Sequence, residues 1–154
     1  MDLEGGFSVR AARADDLLAV VRIVHDAYSS YIDRIGRIPA PMKADYVSAI
    51  ARGTTWIAEA GSRVIGVAVL KSHANYLLLD NVAVDPQAQR RGCGAALIGF
   101  AEDQARRWRL GEVRLYTNEL MTENIDYYIR RGYRETHRAE EDGFKRVYFS
   151  KHVI

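Results

Sequence analysis

The chain has a single cysteine, Cys93. One thiol closes no internal disulfide, which agrees with a reducing compartment and makes the cytoplasm the expected location. The four histidines, His25, His73, His137 and His152, are scattered. No Cys/His/carboxylate cluster has the spacing of a metal site, so no metal is expected. Long apolar runs are missing as well, and the N-terminus, MDLEGGFSVR, has no apolar core of a signal peptide, so no membrane partner is expected. Net charge is also scarce: +2 is too small to point to nucleic acid. The densest basic run, Arg106-Arg107-Trp108-Arg109, suits the solvated end of a helix, where cations match the dipole. What remains, 48% hydrophobic and 27% charged residues over 154 positions, is the composition of one globular domain spanning 1–154.

The chain is organised around Tyr76 to Phe100, YLLLDNVAVDPQAQRRGCGAALIGF. An apolar run, Leu77 to Leu79 and Val82 to Val84, stops at Asp85-Pro86; a polar segment follows, and a helical pattern begins through Gly92-Cys93-Gly94. Two glycines at a helix start leave the first backbone N–H groups uncovered, and these have no partner inside the helix. With the helix dipole they form an anion site, reinforced by Arg90 and Arg91. A P-loop would need a Lys-Ser/Thr pair that is missing, and a dinucleotide fingerprint a third glycine where Leu97 stands. The plain alternative is that Gly92 and Gly94 only let a helix pack close to a sheet. Cys93 has the small size that its place between two glycines needs, and no neighbouring His marks it as a nucleophile.

Elsewhere, Phe7 to Ala12 reads as a strand. Leu17, Val21, Val24, Tyr28, Tyr31 and Ile35 recur on one helical face, before glycine and prolines break the pattern between Gly36 and Pro41. Met42 to Arg52 reads as a shorter helix. Thr54 to Ala60 and Val64 to Leu70 form a hairpin, with Tyr76 to Val84 next to it. Leu97, Phe100, Ala101 and Trp108 give the following helix a buried stripe. Val113 to Thr117 is a strand, about Glu123 to Arg131 a short helix ended by Gly132, and Tyr133 to Arg138 with Phe144 to Ser150 a closing hairpin. The order is strand, two helices, three strands, helix, strand, helix, two strands. It defines an α+β fold with a mixed central sheet of about seven strands and about four helices. The sheet is a single, mainly antiparallel layer, parallel only where Tyr76–Val84 and Glu112–Thr117 are joined by a helix.

Strand–QxxGxG–helix, with Gln89, Gly92 and Gly94, resembles motif A of the GNAT acetyltransferases. Asn124 to Tyr133, NIDYYIRRGY, is similar to that family's NxxxYxxxGF/Y segment, and the order of elements is that of the GNAT fold. The resemblance covers nearly the whole chain. It implies an acyltransferase that moves acetyl from acetyl-CoA to a primary amine by direct attack of the amine on the thioester. It places the cosubstrate on Gln89, Arg90, Arg91, Gly92, Cys93, Gly94 and Ala95, with Asn81, Val82 and Val84 beside the pantetheine arm. The N–H near Val82 becomes the oxyanion donor, and Tyr128, four residues before Gly132, the general acid at the sulfur. A phenol of pKa about 10 facing a thiol of about 8.5 works by orientation rather than driving force. Tyr127 is expected to pack. The family's asparagine position is Met121 here; Asn124, or Asn118 in the loop before it, takes that place.

Three carboxylates compete for the base: Glu59, Asp80 and Glu112, with Asp80 ranked first because it precedes the acetyl-binding backbone. In this fold the segment after the first helix roofs the acceptor, so Tyr28, Tyr31, Ile38, Pro39 and Tyr46 are the expected substrate contacts, and Asp33 or Asp45 could attract an amine. Their aromatic and rigid character favours a small amine or amino-acid-like acceptor; the opposing expectation is an open groove for a protein N-terminus or lysine. A non-catalytic acetyl-CoA-binding module is the rival from another class. A homodimer is left open by the sequence.

Overall fold

The computed structural model describes residues 2–3, 6–89 and 91–154. Its strands are β1 Asp2–Leu3, β2 Phe7–Ala11, β3 Thr55–Ala60, β4 Arg63–Ser72, β5 Leu77–Val84, β6 Glu112–Asn118, β7 Arg134–Glu141 and β8 Phe144–His152. The helices are α1 Leu17–Tyr28, α2 Ile32–Ile35, α3 Tyr46–Ala51, α4 Cys93–Arg107 and α5 Thr122–Arg130. One sheet runs β1-β2-β3-β4-β5-β6-β8-β7. Every neighbouring pair is antiparallel except β5 and β6, whose α4 crossover forces them parallel. The seven longer strands and the helices give the α+β architecture that the sequence predicts.

The strands form one layer, and each face of it buries a core. On one side Leu97, Ile98, Phe100 and Ala101 of α4 pack with Leu77, Leu79, Val113 and Phe149. On the other, Val20, Ile23 and Val24 of α1 pack with Ile57, Val67, Val69 and Ala83. Two details of the predicted stripes change. Val21 is half-exposed and Val20 takes its place, while α1 stops at Tyr28, passes through a 3-10 turn, Ser29–Tyr31, and resumes as α2. Trp108 caps α4 and is 43% exposed, since the buried stripe ends at Ala105. The closing hairpin turns at Asp142 and Gly143, both at positive φ, as a tight two-residue turn requires.

Two devices near the middle of the sheet prepare a site. The β5–β6 ladder pairs Leu77 to Leu79 with Val113 to Leu115 and then stops, so Asp80 to Val84 and Tyr116 to Asn118 part like a wedge. At the same level Val69 faces Asn81 and Leu70 faces Leu79, which leaves Asp80 extra in β5 as a β-bulge. A bulge shifts the alternation by one residue. Before it Leu77 and Leu79 face α4; after it Val82 and Val84 face α4 while Ala83 turns to α1.

Candidate active site

A groove of about 550 Å³ runs along the wedge between β5, α4 and α5. Its floor is the open edge of β5. Asp85 N–H bonds Ile65 O across β4, and alternation then turns the backbone groups of Val84 and Val82 away from β4 into the groove. Its end is the start of α4. Gly92 holds φ +85° as N-cap, and Ala96 N–H is the first to be bonded within the helix, to Gly92 O at 2.9 Å. The N–H groups of Cys93, Gly94 and Ala95 are therefore the unpaired donors of a fifteen-residue helix. A Cβ added to Gly94 would stand 3.7 Å from Val84 Cγ2 and 4.0 Å from the Tyr127 hydroxyl, filling groove space rather than meeting a wall.

One face of α5 forms the opposite wall: Asn124, Tyr127, Tyr128 and Arg131 all line the groove. Arg131 Nε is buried without a hydrogen-bond partner, and its guanidinium lies 5.5 Å from the Tyr127 ring. A buried, unsatisfied guanidinium N–H beside uncovered helix N–H groups is a donor set made for phosphate oxygens. These residues fit a phosphate-bearing cosubstrate with a long arm along β5.

Through the wedge lies a second, smaller space, a partly open cavity of about 60 Å³. Tyr28, Val82, Met121 and Tyr128 line both spaces, so they form the common wall. Tyr128 is wedged between Tyr127, Tyr133 and Phe149, with ring centroids 5.5, 5.9 and 5.9 Å away. Its hydroxyl makes no hydrogen bond among the described residues, and burial, then the neighbouring Tyr127, raises its pKa above the ordinary tyrosine value. Tyr28 donates to Asn81 Oδ1 at 2.7 Å and lies 3.2 Å from Val82 O, while Asn81 Nδ2 donates to Tyr46 Oη at 3.0 Å. Tyr46 in turn donates to Pro41 O at 2.7 Å.

The cavity is roofed by Ile35 and Pro39 to Pro41, and this strap is tied at two points. Arg34 Nη1 contacts both carboxylate oxygens of Glu123 at 2.7 Å, and Tyr31 donates to the same carboxylate at 2.8 Å. In its middle the Arg37 guanidinium lies 4.1 Å from the Phe144 ring and close under Gly143, where a Cβ would meet Nη1. The β7–β8 turn and the strap are thus in direct contact over the cavity.

The residues singled out in the sequence fall into three groups. Asn81, Val82, Val84, Gln89, Gly92, Cys93, Gly94, Ala95, Asn124 and Tyr128 surround the wedge, with the Asn81 side chain turned by the bulge to the cavity side rather than the groove. Asp80, Tyr28 and Pro39 line the cavity; Glu59 is paired with Arg10 and Glu112 with Arg114, both outside it. Tyr31 borders the groove, and Tyr46 and Asp45 face an outer hollow beside Asp80, where Asp45 caps α3. Ile38 is 48% exposed and lines neither space, because the strap turns it outward, and the exposed Arg91 side chain forms no part of the groove wall. Arg90 lies outside the described residues. Cys93 offers only its N–H: its thiol is buried against Gly66, and burial pushes its pKa up to about 11. Tyr127, expected to pack only, borders the groove, and Arg131 had not been singled out. Their spacing from Asn124, three, four and seven residues, is the signal, since it sets all four on one helical face.

These features define an acyltransferase fold built around a split parallel strand pair. Residues 51–135 match the family model for an acetyltransferase (GNAT) domain, and the chain belongs to this family of N-acetyltransferases, whose donor is acetyl-CoA. Among solved structures, PaiA N-acetyltransferase from Thermoplasma acidophilum in complex with coenzyme A is 19% identical, with 95% of this chain and 98% of that chain covered and a TM-score of 0.78. The ribosomal-protein-S18-alanine N-acetyltransferase from Escherichia coli is 18% identical over 96% and 94%, with a TM-score of 0.76. Ard1 from Thermoplasma volcanium is 19% identical over 97% and 99%, with a TM-score of 0.78. No curated protein matches. Among the described residues no helix is long and apolar enough to cross a membrane, and no group of three or more His, Cys, Asp or Glu could hold a metal ion.

Proposed function

We propose that the chain acetylates the primary amine of a small molecule, and that the cavity beneath the strap receives this acceptor. The observation that carries the proposal is size: the space beside Tyr128 is about 60 Å³, under a strap tied to Glu123 and to the β7–β8 turn. A water needs roughly 10–15 Å³ on this measure, so the cavity holds on the order of four to six waters, the bulk of a small organic amine.

The residues divide the work. Helix N–H groups of Cys93 to Ala95 and the Arg131 guanidinium hold phosphates, and the open edge of β5 at Val82 and Val84 aligns the arm. Bound acetyl-CoA supplies a thioester carbonyl open to a neutral amine. Val82 N–H, facing the groove, is the donor for the oxygen that gains charge, and Tyr28 fixes that stretch of β5 through Asn81 and Val82 O. Asp80 is the carboxylate placed to take the amine's proton. It accepts a hydrogen bond from Tyr116 at 2.7 Å and pairs with Lys71 at 3.2 Å, which keeps it oriented. Tyr128 holds a proton at all working pH values because burial disfavours the phenolate, and it presents that proton to the departing sulfur.

Thiol release from acetyl-CoA, measured with small amines and with N-terminal and lysine peptides, tests the proposal. Turnover with small amines supports it; turnover confined to peptides refutes it and favours the kind of acceptor that the E. coli relative's name describes. Binding of acetyl-CoA with no turnover on either class would favour the silent module.

A further inference from the structure

Of the residues lining the cavity only two carry formal charge, Asp80 and Arg146, one of each sign. They are held apart by one tyrosine. Tyr116 donates to Asp80 Oδ1 at 2.7 Å, and the Arg146 guanidinium lies 4.4 Å from the same ring's centroid. The side chain of Arg146 is 9% exposed, near the start of β8 opposite Asn118 of β6. Its ion-pair partner is Glu141, whose side chain is 55% exposed, through a single contact at 3.2 Å from Nη1. A guanidinium carries five N–H donors in a planar fork, and burying one is unfavourable unless its charge and donors are met. One half-exposed carboxylate outside the cavity is a poor match for a charge buried that deeply. A planar carboxylate in the cavity is the natural complement, because it takes two parallel N–H bonds from the fork.

We propose that the acceptor is zwitterionic: a small amino acid, or an amine bearing a comparable carboxylate, with its carboxylate on Arg146 and its amine on the Asp80 and Tyr128 side. This rests on the small-molecule proposal above and adds to it a residue that sets specificity. The rest of the lining, including Ile35, Pro39, Leu79 and Phe144, is neutral and mostly apolar, so it accommodates a short carbon chain between the two charged ends. The opposite charges also disfavour simple polyamines, whose second ammonium would meet the guanidinium.

The test uses matched acceptors with the unaltered protein, reading thiol release from acetyl-CoA. A set of short amino acids is compared with their amides and methyl esters, with diamines and with a short peptide. The expected result is kcat/KM roughly 10- to 100-fold higher for an amino acid than for its amide, the size of one charge-assisted pair, carried mainly by KM. Arg146→Gln should collapse that acid-to-amide ratio towards one, and Arg146→Lys should restore part of it. Equal rates for acid and amide, or preference for diamines, would overturn the zwitterionic acceptor while leaving the small-molecule proposal standing. Turnover of the peptide alone would overturn both. Loss of folding in the arginine variants leaves the acid-to-amide comparison, which needs no substitution, to decide.

Discussion

Gly66 lies beneath Cys93: a Cβ on the glycine would come within 2.8 Å of the cysteine Sγ and 2.9 Å of Leu97 Cδ1. The close approach of α4 to the sheet is therefore made by a glycine in β4. Gly92 and Gly94 are not needed for it, since a Cβ would meet nothing within 4 Å at Gly92 and only ordinary contacts at Gly94. What Gly92 provides is its φ of +85°, and what Gly94 provides is an uncovered helix end. Gly66→Ala should lower stability by about 1–3 kcal/mol through overpacking. Adding Cys93→Ala should return part of that loss. Additive effects in urea unfolding of the two single variants and the double would show that the contact is not the cause.

Cosubstrate binding should depend on Gly94 and Arg131 in different ways. Gly94→Glu puts a chain and a negative charge into the end of the groove and should abolish measurable acetyl-CoA binding in calorimetry. Arg131→Gln should weaken it by roughly 10- to 100-fold, the loss of one charge-assisted contact. Both variants should melt close to the parent. Unchanged affinity in the arginine variant would remove Arg131 from the phosphate site.

Asp85 ties the strand end to its surroundings and gives stability a pH dependence. Burial works against its ionisation, but the Gln87 N–H together with Arg22 and Arg63 holds its pKa below the ordinary aspartate value of 3.8. Because the folded value is depressed, the contribution is present above the unfolded value and fades as pH falls through the folded one. Asp85→Asn should therefore cost stability at pH 7, and that cost should shrink as pH falls below the ordinary aspartate value of 3.8 and through the folded one. A cost independent of pH would mean that Asp85 acts only by packing and capping.

Much of this was legible in the sequence because the relevant features are local. The strand–loop–helix motif, the glycines, the hairpin at Asp142-Gly143 and the α5 tyrosines each follow from a spacing of a few residues. The β5 bulge at Asp80 was not, because an apolar stretch such as Leu77 to Val84 reads the same with or without an extra residue, and only pairing with β4 reveals it. That bulge turns Asn81 towards Tyr28 and Tyr46. The strap was hidden for a similar reason: Arg34–Glu123 and Arg37–Phe144 join residues about ninety or more positions apart, and neither pair has a local signature. Arg146 has no local signature either: what marks it is its place beside the Tyr116 ring, which belongs to a different strand.

Tyr128 is central because it stands in the wall shared by groove and cavity and its hydroxyl has no hydrogen-bond partner among the described residues. Its buried phenol stays protonated, so it should not itself impose a fall in rate between pH 7 and 9. The most direct measurement is kcat and acetyl-CoA affinity for Tyr128→Phe, with an accepted small amine, beside the parent. The account predicts kcat lower by roughly 10²-fold or more with cosubstrate affinity nearly intact, the size of a lost acid–base contribution. Undiminished kcat in a folded, cosubstrate-binding Tyr128→Phe protein would contradict it.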